Sequence, residues 1–391
     1  MINYKLIQRN LTITAILLFL LSSCTSLDEF GYVVQQSSLN AMGLSDLTEF
    51  PSTQRTNVLM VHGMGGYARN DDVQLPNEIA KRLGFRLSTC KTRVYFVREA
   101  STNTSNISRP CTSKTKAIDP SGSQTGDTSE LSSVIGRIRT REYINRSGKK
   151  LSFFVVYWGN SVAVEKYKLR QIDDQEWVQS LRVTPYTKFV KLQLMDWNIA
   201  DALLYTGSKN KPIDRVINEA VKWVNLDSIG ENYHNSIISF SLGSAIVNNA
   251  LVYSQRSGNE EFLKHVCSLY FLANQIPLLE LGKDTGKVST AQRYQRLSET
   301  ISSSRVECPS PEKQWIVSIS DPNDVLSYPL DPFVFSSPYG SDYADIALSV
   351  AKIRYGVGKL QIVDPMQAHL GYGQNELVKK ILTSGYVEQP M

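Results

Sequence analysis

The residues most able to do covalent chemistry are few, and their order along the chain is informative. "SIISFSLGSAIVNN", residues 236–249, sets Ser239-Phe240-Ser241-Leu242-Gly243 between a short apolar, β-branched run and a helix-like segment. A serine hydroxyl is a poor nucleophile until a neighbouring base can take its proton. The chain has four histidines. His62 ends an early apolar run, His234 sits in polar "ENYHNS" and His265 precedes a strand-like run; each reads as structural or solvated. His369, in "AHLGYGQNELVKKIL", alone follows both Ser241 and an acid-bearing strand end. The acid comes from "QWIVSISDPNDVLSYPL", which offers Asp324 and, as an alternative, Asp321.

These residues need a common platform. "NVLMV", "RVYFV", "KLSFFVVYW", "SIISF", "VCSLYFL", "QWIVSIS" and "GKLQIVD" are short apolar runs separated by loop or helical sequence. That alternation predicts an α/β fold, a mostly parallel central sheet with helices on both faces. In such sheets ligands bind beyond the carboxyl ends of the strands. "HGMGG" (residues 62–66), Ser241, Asn274-Gln275, Asp321 to Asp324 and the segment leading to His369 all fall there.

The Ser–Asp–His order and the strand–serine–helix setting resemble the α/β-hydrolase superfamily, in its serine esterase and lipase-like members. The family's nucleophile motif is G-x-S-x-G; here Ser239 stands at the first glycine. The resemblance spans residues 57 to about 385 and is carried by four short stations. It implies Ser241 as nucleophile, His369 as base and Asp324 as acid, with a loop presenting the base before a final helix. It also implies an oxyanion hole formed by the backbone N–H groups of Leu242 and Met64, with His62 shaping the loop. Asn274 and Gln275 either border the pocket or only cap a helix. The "HGMGG" turn has neither dinucleotide spacing nor a phosphate-loop lysine, and neither a metal nor any other cofactor is expected. A non-catalytic binding or assembly factor on the same scaffold is the rival reading, prompted by Ser239 and the long loops.

The N-terminus carries a separate message. "MINYKLIQRN" is basic and acid-free, "LTITAILLFLL" is an apolar run of export-signal length, and "LSSC" follows. Small residues before a cysteine at that place resemble a bacterial lipobox. The resemblance implies cleavage before Cys24, lipidation there and anchoring in the cell envelope; an ordinary secretory signal is the alternative. Several acyl chains hold firmly, at roughly 0.8 kcal/mol per buried CH2. Thr25 rather than Asp after the cysteine favours the outer membrane over the inner.

Residues 24–56 then read as a tether, 57–388 as the hydrolase domain, about 100–130 as a polar loop insertion, and "LSSVIGRIRTREYINRSG" (residues 131–148) as an amphipathic helix. About 162–230 reads as a helical cap, with its second half alternatively a crossover helix.

Composition bounds the remaining choices. The 391 residues are 42 % hydrophobic and 20 % charged, a globular balance. The net charge of +5 is mild and no dense basic run occurs, so a nucleic-acid partner is unsupported. The expected partners are an ester or lipid substrate and the membrane. Apart from Cys24, four cysteines remain: Cys90, Cys111, Cys267 and Cys308. Three pairings are possible, and Cys90–Cys111 with Cys267–Cys308 closes the shortest loops.

Overall fold

The computed structural model describes residues 33–35, 40–63, 71–88, 91–98, 105–110, 134–173, 175, 199–207, 209–254, 260–280, 308–310, 313, 315–330, 343–351, 354–355 and 361–387. The strands are β1 (Val33–Gln35), β2 (Asn40–Ala41), β3 (Arg55–Val61), β4 (Arg86–Leu87), β5 (Lys91–Arg98), β6 (Ser105–Pro110), β7 (Val134–Ile144) and β8 (Lys150–Tyr157). They continue with β9 (Tyr233–Phe240), β10 (Val266–Leu272), β11 (Ile316–Ser320), β12 (Tyr343–Leu348), β13 (Arg354–Tyr355), β14 (Gln361–Ile362) and β15 (Tyr386–Val387). The helices are α1 (Leu44–Glu49), α2 (Asp71–Arg82), α3 (Ala163–Asp173), α4 (Ala200–Thr206), α5 (Asn210–Asp227), α6 (Leu242–Ser254), α7 (Glu260–Lys264), α8 (Ile276–Glu280), α9 (Pro365–Leu370) and α10 (Glu376–Ser384).

Eleven strands form one mixed sheet, in the order β1-β12-β11-β10-β9-β3-β8-β7-β5-β6, with β4 paired to β7. The six from β12 to β8 are mutually parallel. β3 and β10 are buried at every residue, as strands covered on both faces must be; β10 and Val58–Val61 of β3 read as apolar runs, while Arg55, Thr56 and Asn57 are buried polar residues. The chain steps from β3 outward to β8, then returns to place β9 on the other side of β3. In parallel sheets such a reversal marks where ligands bind, here at the carboxyl ends of β3 and β9.

Helix α5 shows how sequence pattern sets the packing. Ile213, Val216, Ile217, Ala220, Val221 and Val224 recur at helical spacing and are its buried stripe. Residues of β3, β9, α5 and α6, among them Leu59, Ile237, Ile217 and Val247, line one small apolar space between the helices and the sheet. Val216 presses on Gly136 of β7, where a Cβ would lie 2.5 Å from it. The second half of the expected cap is therefore the crossover into β9. Helices α3 and α4 precede it, and residues 176–198 of the expected cap lie outside the described residues.

Several expectations are corrected. The amphipathic helix expected over 131–148 is β7, antiparallel to β5 and β8. Its β-branched content outweighs an incidental i, i+3 spacing of Ile135 and Ile138, and pairing to two strands satisfies its backbone. Part of the polar insertion is also ordered, since residues 105–110 pair with β5. Of "GKLQIVD", the described Gln361–Ile362 pairs with β13, apart from the large sheet; residues 358–360 lie outside the described residues. The outermost parallel strand is instead β12, from "YADIAL". Residues 40–56 of the expected tether belong to the fold. Met42, Leu44 and Leu47 are core residues, β2 pairs with β15, and the Tyr270 hydroxyl donates to Met42 O at 2.8 Å.

A buried cation closes the amino end of the sheet. Arg55, 4 % exposed, donates to Glu231 at 2.5 Å, Ser152 at 2.7 Å, Glu142 at 2.9 Å and Asp227 at 3.2 Å. Burial pushes the Glu231 carboxyl up, but Arg55 and Lys150 more than offset this and leave it below the usual carboxylate range. Arg55→Ala leaves three carboxylates without their shared counter-charge. Urea unfolding is expected to show a loss of about 3 kcal/mol, the low end for a broken buried pair because the carboxylates keep some solvent. A depressed folded pKa contributes stability above the unfolded value and loses it as pH falls. The wild-type advantage should therefore shrink on the acid side of about pH 4.5.

The Cys267–Cys308 disulfide forms, with Cα atoms 5.6 Å apart; Cys90 and Cys111 lie outside the described residues. Among the described residues, no helix is long and apolar enough to cross a membrane.

Candidate active site

Ser241 occupies the one-residue turn between β9 and α6, with φ of +52°. That left-handed conformation costs a non-glycine residue roughly 1–2 kcal/mol and is held by its surroundings. Ser241 N donates to Leu272 O of β10 at 2.8 Å. Ser241 O accepts from Ser244 N at 2.9 Å and Ser244 Oγ at 2.5 Å. Ser244 Oγ in turn accepts from Gln275 N at 3.1 Å.

Two glycines permit this turn. A Cβ on Gly63 would lie 2.6 Å from Ser241 Cβ and 2.8 Å from Phe240 O. One on Gly243 would lie 2.6 Å from Val61 O and 2.7 Å from His62 O. Real Cβ atoms do not approach so closely, so β3, the turn after it and α6 can meet only at glycine. Ser239 does not need to be glycine: it is buried, and its hydroxyl donates to Tyr270 O at 3.0 Å.

His369 Nε2 lies 2.9 Å from Ser241 Oγ. His369 Nδ1 lies 2.9 Å from both Asp324 carboxylate oxygens. An ionised carboxylate only accepts, so Nδ1 carries the proton and Nε2 presents its lone pair to the serine hydroxyl. All three side chains are buried, where a lower dielectric strengthens such hydrogen bonds. His369 is in the last turn of α9 rather than in a loop. Asp364 caps that helix, accepting from Met366 N at 2.9 Å and Gln367 N at 3.4 Å.

Asp321, the alternative acid, is committed elsewhere. Its carboxylate accepts from Asn323 N at 2.8 Å, Asn323 Nδ2 at 3.0 Å, Val350 N at 2.7 Å and Ala351 N at 3.2 Å. These bonds shape the turn from which Asp324 projects. Asn274 is a second brace: its Nδ2 donates to Tyr328 O at 3.0 Å, and its Oδ1 accepts from Ile276 N at 3.1 Å at the start of α8. Asn274 and Gln275 are both buried. Asn274 thus braces the helix start and the acid loop, and the Gln275 backbone supports the nucleophile turn.

Three supporting groups carry no local sequence signal. The Tyr372 hydroxyl accepts from Asp321 N at 2.7 Å and lies 3.4 Å from Asp324 Oδ2 and 3.5 Å from Ser327 Oγ. Burial and the adjacent Asp324 carboxylate push its phenol well above the ordinary value, so it remains a donor. Trp158 Nε1 donates to His62 O at 3.0 Å, fixing the chain just beyond β3. Asp345 accepts from Leu330 N at 2.9 Å at the end of the acid loop, and burial pushes its carboxyl up to about 6. The only cue available was position: Tyr372 follows His369 by three residues.

Leu242 begins α6, so its N–H belongs to the first helical turn, where backbone donors lack intrahelical partners. Met64 and Cys24 lie outside the described residues.

Comparison of the chain with models of protein families, with curated proteins and with solved structures found no match.

Proposed function

We propose that this chain is an envelope-anchored serine hydrolase of carboxylic esters, esterase- or lipase-like, on an α/β-hydrolase scaffold. One observation carries the reading: Ser241, on a left-handed strand–helix turn, is hydrogen-bonded to His369, which is hydrogen-bonded to Asp324. The position of that turn where the strand order reverses, packed against Gly63 just beyond β3, supports the same scaffold. Cell-envelope anchoring rests on the "LSSC" stretch and Cys24, with the outer membrane favoured.

In the proposed mechanism His369 Nε2 takes the hydroxyl proton as Ser241 Oγ bonds to the ester carbonyl carbon. Asp324 holds the imidazole tautomer and stabilises the imidazolium. The Leu242 N–H, with that of Met64, stabilises the oxyanion; such donors are each worth about 3 kcal/mol of barrier. Collapse breaks the bond to the alcohol oxygen, which leaves with the proton from His369. Water then attacks the acyl-serine, giving its proton to His369, and Ser241 leaves with that proton restored.

The rival non-catalytic reading drew on Ser239, and that residue fits the turn without disturbing it. Acid quenching during turnover of p-nitrophenyl butyrate, followed by peptide mass analysis, tests the proposal. The expected result is a butyryl group on the peptide bearing Ser241. Release of p-nitrophenol by Ser241→Ala at the wild-type rate would contradict it.

A further inference from the structure

The direction of β1 says where the chain's N-terminal anchor must lie. β1 is antiparallel to β12, with Val33 opposite Leu348 and Gln35 opposite Ile346. Leu348 is the last residue of β12. The chain therefore enters the sheet at the carboxyl end of the parallel strands, the end where Ser241 follows β9 and Asp324 follows β11. β11 is two strands from β1, and β9 is four. At about 4.8 Å per strand, these are roughly 10 and 19 Å away. Cys24 precedes Val33 by nine residues. Fully extended, nine residues span about 30 Å at most. An acyl group on Cys24 therefore lies within about 30 Å of this rim, where the chain enters the sheet.

The exposed apolar side chains have the same polarity. Val325 and Leu370, 62 % and 46 % exposed, directly follow Asp324 and His369, and Tyr328, 40 % exposed, ends the same acid loop. Val164 and Tyr167 of α3 and Leu203 of α4 are exposed on the helices between the carboxyl end of β8 and the start of α5. The ion pair Lys166–Asp201 joins α3 to α4, and Lys209–Glu165 joins α3 to the residue preceding α5. At the opposite rim, the last turn of α5 and the residues just after it expose two among the described residues, Leu226 and Ile229, 45 % and 75 % exposed. Large apolar groups gathered at one end of a body mark a contact surface.

We infer that the carboxyl-end rim, with Val325, Tyr328 and Leu370 beside the triad, is the face that seats on the bilayer holding the Cys24 anchor. The inference rests on the lipidation part of the proposed function. It adds the orientation and the substrate class: esters resident in that same lipid surface, presented directly to the Ser241 side of the sheet. The occupant is lipid rather than protein because a short tether starting at this rim holds the apolar groups near the bilayer.

Full-length protein, purified with its N-terminus processed and reconstituted in phosphatidylethanolamine–phosphatidylglycerol vesicles, tests this with a diazirine-acyl phospholipid as probe. Irradiation and peptide mapping should place lipid adducts on the peptides carrying Val325–Tyr328 and Leu370, at least tenfold above the peptide carrying Leu226 and Ile229. Adducts concentrated at Leu226 and Ile229, adducts confined to the N-terminal peptide, or an N-terminal peptide without lipid on Cys24 would each overturn the inference. Fluorophosphonate labelling of Ser241 in the same vesicles reads the hydrolase chemistry separately. Loss of that labelling with rim adducts intact sinks the chemistry and leaves the orientation standing.

Discussion

His369→Ala is expected to lower kcat/KM for p-nitrophenyl butyrate by about 10^4- to 10^6-fold, the range seen when a triad acts as a unit. The reason is geometric. The imidazole Nε2, 2.9 Å from Ser241 Oγ, is the acceptor bonded to that hydroxyl proton. Without it the serine must lose its proton to water at neutral pH, and only the oxyanion donors and binding remain to lower the barrier. Because the two groups perform one step, Ser241→Ala combined with His369→Ala should be no slower than either alone. An additive loss would mean that the two side chains contribute independently. His369 is buried, so urea midpoints of wild type and variant should be compared to separate lost chemistry from lost folding.

The second large effect distinguishes two aspartates three residues apart. Asp324→Asn is expected to lower kcat by about 10^4-fold near neutral pH. An amide in place of the carboxylate can donate to Nδ1, which moves the ring proton to Nε2 and blocks proton acceptance from Ser241. Asp321→Asn should behave in the opposite way. It weakens the acceptor for Val350 N and Ala351 N, so a stability loss of about 1–3 kcal/mol is expected, with activity of the folded protein within about tenfold of wild type. Steady-state kinetics with urea titrations of both variants check the pair. A greater loss of kcat in Asp321→Asn would reverse the assignment of the acid.

The parts of this site that were legible share a local signature. "SIISF" is apolar and β-branched, and a serine followed by a glycine ends it, so both strand and turn can be read within ten residues. His369 was found by order, because four histidines leave little choice. Between Asp324 and Asp321, the resemblance implied Asp324. Contacts made across long sequence distances were not legible. Tyr372 acts on a loop 45–51 positions earlier, and Trp158 acts on His62, 96 positions away. Nothing in the local sequence of either residue signals the partner. The fold shows the same division. Runs buried on both faces, such as β3, β8 and β10, stood out by composition. β7 did not, because its arginines interrupt the apolar pattern and its pairing depends on β5 and β8. Residues 40–49 looked like linker because six-residue α1 is too short to show a period. Its burial depends on packing with α10, more than 300 residues further on.

Everything proposed about chemistry comes down to whether the Ser241 hydroxyl is activated. Exposure of the full-length protein to a fluorophosphonate probe, with the adduct located by peptide mass analysis, asks this directly. The account predicts one adduct, on Ser241, absent in Ser241→Ala and strongly reduced in His369→Ala. Equal labelling of wild type, Ser241→Ala and His369→Ala, or an unlabelled but folded wild type, would contradict it.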